Sequence, residues 1–255
     1  MSGDKTYRSR PDRPSRTRRS GDIARIFRVA EYGEHDPRRS SPISRALVRA
    51  ANVVVAILAL ILLFPLIALI AIAVKIDSRG PILYRQLRVG LDRRHLRDLP
   101  DDTGRRASDL GGRPFLIHKF RTMRLNAELD TGPVWAQLDD ARTTRVGALL
   151  RRTRLDEIPQ FWNVLRGEMS VVGPRPERPI FVRQLRREIT EYRYRNRVRP
   201  GITGWAQINR GYDRDVQDVR VKVGFDLEYV RNQSLWFDLV IMFKTLPVMF
   251  NRDGK

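Results

Sequence analysis

Every residue from Val53 to Val74 is apolar, and this run of 22 constrains the chain more than any other feature. At about 1.5 Å per helical residue it reaches roughly 33 Å, the depth of a bilayer core. A secretory signal peptide is disfavoured, because 52 polar, arginine-rich residues precede the run and it is longer than an h-region. Pro65 stands near its middle, removing one backbone donor and clashing with the preceding turn, so a bend is expected there. Both flanks are basic: Arg38, Arg39, Arg45 and Arg49 before the run, Lys75, Arg79, Arg85 and Arg88 after it. The positive-inside rule therefore cannot send the two ends to opposite sides. A re-entrant helix that bends near Phe64-Pro65 satisfies both ends. A kinked spanning helix, its freed carbonyl satisfied by neighbours, stays open as the alternative.

The rest of the 255-residue chain is long enough for one sizeable domain with appendages. Of the net charge of +20, residues 1–52 carry +7, from 13 Lys and Arg against 6 Asp and Glu, so the body is basic as well. Such a field draws nucleic acid, acidic lipid headgroups or phosphorylated small molecules without choosing among them. The absence of cysteine excludes disulfide scaffolds, thiolate catalysis and zinc-cysteine sites. The three histidines, His35, His95 and His118, form no His-x-x-x-His pair, so a metal would be held by carboxylates and phosphates, which suits magnesium.

Along the chain, residues 1–42 read as a disordered basic tail, residues 43–76 as the membrane helix, 77–233 as a cytosolic domain and 234–255 as an interfacial terminal helix. A terminal helix that packs in the core is the alternative for the last of these. Pro81–Gly90 and Pro114–Met123 pattern as two short strands, joined by a long charged loop, Leu91–Arg113, that reads as mobile decoration. Helices are expected over Ala141–Arg152, Asp156–Arg166, with Gly167 placed to end it, and Pro179–Arg197, the last basic and amphipathic. Gly173-Pro-Arg-Pro176 and Pro200-Gly-Ile-Thr-Gly204 are turns.

The acids Asp156 and Glu157 carry the chemistry if any residues here do. Thr153 precedes them, so a helix cap with acids at a positive helix end is the plain interpretation. Their surroundings suggest more: Arg151, Arg152 and Arg154 come just before and Pro159 stiffens the turn. A carboxylate among guanidinium groups stays ionised, as a nucleophile must, and its neighbour suits a divalent cation. Phosphoryl transfer also needs its non-bridging oxygens neutralised, by arginine forks or magnesium. Lys119 and Arg121 alternate along a strand and project to one side, and Arg175 is clamped between prolines; each alone reads equally as a surface charge. No Walker loop and no Gly-x-Gly-x-x-Gly fingerprint occurs, so neither nucleotide triphosphate hydrolysis nor dinucleotide redox chemistry has support.

With these residues in hand, the chain resembles the bacterial sugar transferases, the monotopic polyprenyl-phosphate phosphoglycosyl transferases, over roughly residues 45–250. The motifs are Gly80-Pro81, Gln86-Leu-Arg-Val-Gly90, Lys119-Phe-Arg-Thr-Met123, Arg145-Val-Gly147, Leu155-Asp-Glu-Ile-Pro-Gln160, Asn163-Val-Leu-Arg-Gly-Glu-Met-Ser-Val-Val-Gly-Pro-Arg-Pro176 and Pro200-Gly-Ile-Thr-Gly204. The resemblance implies a mainly helical α+β monotopic protein with a re-entrant helix broken at Pro65, a small β-hairpin and amphipathic interfacial helices. It implies that Asp156 attacks the sugar-linked phosphate of a UDP-sugar, releasing UMP, and that undecaprenyl phosphate then takes the phosphosugar. Asp156 and Glu157 would hold magnesium, Glu157 doubling as a base. Arg151 and Arg175 would bind phosphate, and Lys119 and Arg121 would line the nucleotide side.

The partners implied are a UDP-sugar, undecaprenyl phosphate and membrane lipid at the cytoplasmic face of the bacterial inner membrane, with a homo-oligomer left open and no nucleic acid. Two features depart from the family pattern: the long Leu91–Arg113 loop, and the Arg-rich tail in place of the extra helices and domain of longer members. Two rival readings are a membrane-tethered nucleic-acid-binding protein and an inactive scaffold of a polysaccharide assembly complex; the intact Asp156-Glu157 pair speaks against the second.

Overall fold

A computed structural model describes residues 41–92, 110–125, 127, 140–210 and 216–250. The expected disordered tail falls outside the described residues apart from its last two positions, as do residues 93–109 of the Leu91–Arg113 loop. Among the described residues the fold is mostly helical with two small sheets, an α+β arrangement.

The apolar run folds as two helices, α1 (Pro42–Leu62) and α2 (Phe64–Asp77). Ser41 caps α1, its hydroxyl accepting from the Ser44 amide, and Pro42 occupies the first turn. The break falls at Leu63, where ψ rises to 0°, and Pro65 sits in the first turn of α2, where a missing N–H costs nothing. The proline thus starts the second limb as it stops the first.

Both limbs dock on the same body. On α1, the Arg49 guanidinium donates to the carbonyls of Val164 and Leu165, Asn52 accepts from the Val171 amide, and Ala56 is buried with Val164 and Val171. On α2, Ile70 and Val74 pack with Phe120, Leu150 and Ile158, and Asp77 accepts from the Val146 amide. Phe161 touches the clusters of both limbs. A single straight helix over the run would hold Asn52 and Val74 about 33 Å apart. Outside these contacts the limbs are bare: Ile61, Leu62, Phe64, Leu69, Ile72 and Ile76 are exposed, a larger apolar surface than a soluble protein leaves in water. By length and composition α1 is the one described helix able to cross a membrane, with 11% of its most apolar stretch buried.

Strands β1 (Leu83–Val89) and β2 (Pro114–Phe120) pair antiparallel from Leu83 opposite Phe120 to Val89 opposite Pro114. Helix α3 (Arg145–Thr153), a 3-10 turn over Leu155–Glu157 and α4 (Gln160–Leu165) follow. Strand β3 (Ser170–Val172) runs parallel to β4 (Gly201–Thr203), with α5 (Pro179–Glu188) and the 3-10 segment Thr190–Arg197 between them. Helices α6 (Trp205–Asn209), α7 (Val216–Asn232) and α8 (Leu235–Phe250) complete the body.

Several sequence expectations need correcting. The helix expected from Ala141 starts at Arg145, because the Thr144 hydroxyl accepts from the Gly147 amide and caps it there. The helix expected over Asp156–Arg166 is a 3-10 turn and a separate α4, and Thr153 ends α3 instead of capping the next helix, its hydroxyl donating back to Leu149 and Leu150. Gly167, at φ +74°, closes α4 as expected: its amide donates to Val164 and the Glu168 amide to Asn163. Pro179–Arg197 divides at Ile189 into an α and a 3-10 segment. Helix α7 had no sequence signal, since its valines and Gly224 count against helix locally; burial of Val219, Val223, Leu227 and Tyr229 outweighs that.

Helix α8 combines both readings of the terminal segment. Ile241, Asp238 and Phe237 face the core, while Trp236, Leu239, Phe243 and Leu246 form an exposed apolar stripe. Asp238 is held in the core by the Tyr229 hydroxyl, which donates to it at 2.7 Å and lies 3.1 Å from the Val172 carbonyl.

Candidate active site

At the end of α3 the backbone of Arg154 turns left-handed at φ 57°, the one non-glycine residue with positive φ among those described. This strained turn feeds the 3-10 turn Leu155–Glu157. With three residues per turn, Leu155 and Ile158 fall on one face, where both pack against the Phe120–Leu150–Ile70 cluster. Asp156 and Glu157 are left together on the other.

Two cations from distant segments meet Glu157. Lys119 of β2 places Nζ 2.7 Å from Glu157 Oε1, and Arg175 donates to the same oxygen at 2.7 Å and to Oε2 at 3.5 Å. Asp156 is treated differently: Lys119 Nζ comes only to 4.0 Å from its Oδ2. Burial pushes the Asp156 carboxyl up to about 6, against the pull of Lys119; Glu157 adds to the rise, and Arg175 and Arg151 oppose it. Burial acts on Glu157 in the same sense, but Arg175 and Lys119 outweigh it and hold that carboxyl well below the ordinary range. One acid is therefore permanently ionised and tied down. The other is mostly ionised at neutral pH and keeps its oxygens available.

The frame around these groups explains their placement. Asn163, fully buried, accepts from the His118 amide and donates to the Leu116 carbonyl and to Glu168, which locks α4 against the strand carrying Lys119. The Pro174-Arg-Pro176 loop is pinned on both sides. Arg88 donates to the Pro176 carbonyl and pairs with Glu177 at 3.0 Å; Arg195, paired with buried Asp226, donates to the Arg175 carbonyl. Glycines let the loop approach β4: a Cβ on Gly173 would lie 2.3 Å from the Arg199 carbonyl oxygen, and one on Gly201 2.1 Å from the Gly173 nitrogen. Asn163, Glu168, Arg88 and Gly173 all stand in the motifs quoted above, but a string of letters does not show which of them meet. Arg195 and Asp226 stand outside those motifs.

Of the sequence candidates, Asp156, Glu157, Lys119 and Arg175 come together. Arg151, on the last turn of α3, is close enough to influence Asp156 and lies 4.0 Å from Asp140 Oδ2. Arg121 does not join the group. Its guanidinium is buried at the end of α2 and donates to the carbonyls of Val74, Ser78 and Arg79 and to the Ser78 hydroxyl, so the structure gives it the work of tying α2 to the hairpin. The alternation argument fails there because Arg121 lies one residue beyond the end of β2, where the strand pleat no longer applies. Pro65 lies at the helix break and outside this cluster.

Among the described residues no three metal-ligating side chains cluster. A magnesium ion that draws most of its ligands from substrate phosphates and water needs only one or two carboxylates. Asp156 and Glu157 fit that donor set, with Asp156 offering the less committed oxygens.

Comparison with known proteins identifies the family. The bacterial sugar transferase family model matches residues 43–99 and 103–252. The chain is 44% identical over 214 residues to a UDP-N-acetylgalactosamine-undecaprenyl-phosphate N-acetylgalactosaminephosphotransferase of Aeromonas hydrophila, covering 84% of this chain and 46% of that one. It is 44% identical over 208 residues to the UDP-glucose:undecaprenyl-phosphate glucose-1-phosphate transferase of Escherichia coli K12, covering 81% and 40%. A putative undecaprenyl-phosphate N-acetylgalactosaminyl 1-phosphate transferase of Bacillus subtilis matches at 36% over 195 residues, 74% of this chain and 98% of its own length. The chain thus spans less than half of the first two relatives and nearly all of the third. The family match over most of its length and the identity to these relatives establish that this chain belongs to the bacterial sugar transferase family.

Proposed function

We propose that this protein transfers a sugar 1-phosphate from a UDP-sugar to undecaprenyl phosphate, giving undecaprenyl-diphospho-sugar and UMP, at the cytoplasmic face of the bacterial inner membrane. This is the reaction type that opens the membrane stage of exopolysaccharide, capsule or O-antigen synthesis. The observation that carries the reading is the unequal treatment of two adjacent acids: Lys119 and Arg175 both hold Glu157 through its Oε1, with Oε2 the oxygen left for a metal, while Asp156 is ionised and lightly held.

An Asp156 oxygen attacks the sugar-linked phosphorus; the bond to the bridging oxygen breaks and leaves with UMP. An oxygen of undecaprenyl phosphate then attacks the same phosphorus, and the acyl–phosphorus bond breaks to restore the Asp156 carboxylate. No net proton is needed. Arg175 and Arg151 offer guanidinium groups to the phosphates, Lys119 keeps Glu157 in place, and burial keeps water from hydrolysing the acyl phosphate. Magnesium, held by Asp156 and Glu157 with the diphosphate, would neutralise charge on the non-bridging oxygens.

The bare limbs α1 and α2 are read as a re-entrant insertion in the cytoplasmic leaflet, supported by their docking on one body and by basic residues at both ends. The apolar stripe of α8 is read as lying at the same surface. Mass spectrometry on enzyme given magnesium and a UDP-sugar without acceptor tests the chemistry: a hexosyl-phosphate adduct on the Asp156 peptide is expected, and its absence from preparations that turn over would overturn the covalent route. Opposite-side labelling of Ser20 and Lys255 in sealed vesicles would overturn the topology.

A further inference from the structure

Pro174-Arg-Pro176 must be held mainly by its carbonyls, because neither proline has an N–H to donate. All three carbonyls are taken. That of Pro174 accepts from the Gly201 amide of β4 at 3.0 Å, that of Pro176 from Arg88 of β1 at 3.1 Å, and that of Arg175, between them, from Arg195 Nη2 at 2.9 Å. Each peptide unit of the loop is thus tied to a different element. Arg175 stands at the centre, and its guanidinium is the group that reaches Glu157.

The central tie is built with more care than a backbone contact needs. Arg195 Nε and Nη2 lie 2.9 and 2.7 Å from Asp226 Oδ2, and Nη1 donates to the Tyr192 hydroxyl at 2.6 Å. All three side chains are buried, and Asp226 comes from α7, far along the chain. A buried pair of this kind often adds no more stability than apolar residues of the same volume. What apolar residues cannot do is donate to a backbone carbonyl in a fixed direction. The planar guanidinium supplies that direction, and Asp226 and Tyr192 hold the plane.

We infer that Arg195, oriented by Asp226 and Tyr192, is a positioning residue for the transfer reaction: it fixes the backbone of Arg175, and so where the Arg175 guanidinium meets Glu157 and the donor diphosphate. The inference rests on the transferase reading above and adds residues that lie outside the acid cluster. Arg175 is half exposed and so is open to a phosphate from its solvent side. A misplacement of about 1 Å in such a group is enough to cost on the order of a hundredfold in rate.

The test is a double-mutant cycle on the full chain in lipid nanodiscs, following radiolabelled UMP released from UDP-glucose and from UDP-N-acetylgalactosamine with undecaprenyl phosphate and magnesium. Arg195→Lys keeps a charge beside Asp226 but loses the fork, and kcat/KM for the UDP-sugar is expected to fall by about tenfold. In an Arg175→Gln background the same change should alter kcat/KM by less than about twofold, since the group it positions is gone. All variants are compared below their melting transitions. Losses that multiply in the double variant would overturn the relay and leave Arg195 a packing residue, as would wild-type kinetics in Arg195→Lys. Should Arg195→Lys fail to fold, Tyr192→Phe replaces it, removing one hydroxyl from the clamp. A fall of about threefold is then expected, absent beside Arg175→Gln, and an equal fall in both backgrounds counts against the relay. Wild-type release with multiplying losses sinks the relay alone; no release from any UDP-sugar sinks the transferase reading and the relay with it.

Discussion

Lys119 Nζ lies 2.7 Å from Glu157 Oε1, an ion pair between strand β2 and the turn after α3 that leaves the neighbouring Asp156 at 4.0 Å. One lysine therefore serves two acids unequally. With Arg175 added on the same side, Glu157 is held by two cations while Asp156 is more lightly held, the asymmetry on which the proposed covalent route draws.

Removing the Asp156 charge is expected to abolish transfer while stabilising the fold. Its folded carboxyl stands at about 6, above the ordinary 3.8, so the stability associated with its protonated form is fully present below 3.8 and lost as pH rises through 6. Ionised Asp156 thus costs the native state about 3 kcal/mol at pH 8. In magnesium-free buffer, Asp156→Asn should melt higher than the wild type at pH 8, and the gap should close toward pH 4. Paired thermal melts across that range check this, and a variant that melts lower at pH 8 contradicts it. Wild-type UMP release should fall as pH drops through 6.

Glu157→Gln carries the opposite sign. The variant leaves Lys119 and Arg175 facing a neutral amide, and stripping one partner from a largely buried ion group costs about 3 kcal/mol, less here because Arg175 is half exposed. Because the folded Glu157 carboxyl is depressed, its contribution is present above its ordinary value of 4.5 and is lost as pH falls below it. Urea unfolding at pH 7.5 should show a lowered midpoint, and the difference from wild type should shrink in acid.

Arg121 separates a nucleotide contact from a structural tie. Its guanidinium satisfies carbonyls at Val74, Ser78 and Arg79, so Arg121→Gln should orphan part of that set and cost about 2 kcal/mol. Faster proteolysis near residues 75–80 is expected with KM for the UDP-sugar little changed. A large rise in that KM with unaltered stability would restore the nucleotide role.

Gly173→Ala tests whether the Arg175 loop is positioned by backbone contact. The added methyl carbon would lie 2.3 Å from the Arg199 carbonyl oxygen, so β3 and β4 must separate. A loss of more than about 1 kcal/mol of stability is expected from this overpacking. The fall in kcat should exceed that of an Ala substitution at exposed Arg152, and matching kinetics in the two variants would refute the positioning role.

The residues to which the proposed chemistry is assigned stand in plain view in the chain. Asp156 and Glu157 are adjacent, Arg175 is bracketed by prolines, and Pro65 interrupts an apolar run, so local spacing and backbone restriction determine that a paired acid, a rigid arginine and a broken helix will exist. The two strands and the Gly167 stop follow from patterning in the same way, because each depends on neighbours a few residues away. Tertiary structure decided the rest. Which acid is tied and which is free depends on Lys119 and Arg175, 38 and 18 residues from Glu157. Whether Arg121 faces the site or the end of α2 depends on where β2 stops. The docking of both apolar limbs on one body depends on Phe161, Asn52 and Asp77 meeting partners far along the chain. Burial and long-range charge set these outcomes, and neither is a property of a residue's immediate neighbours in sequence.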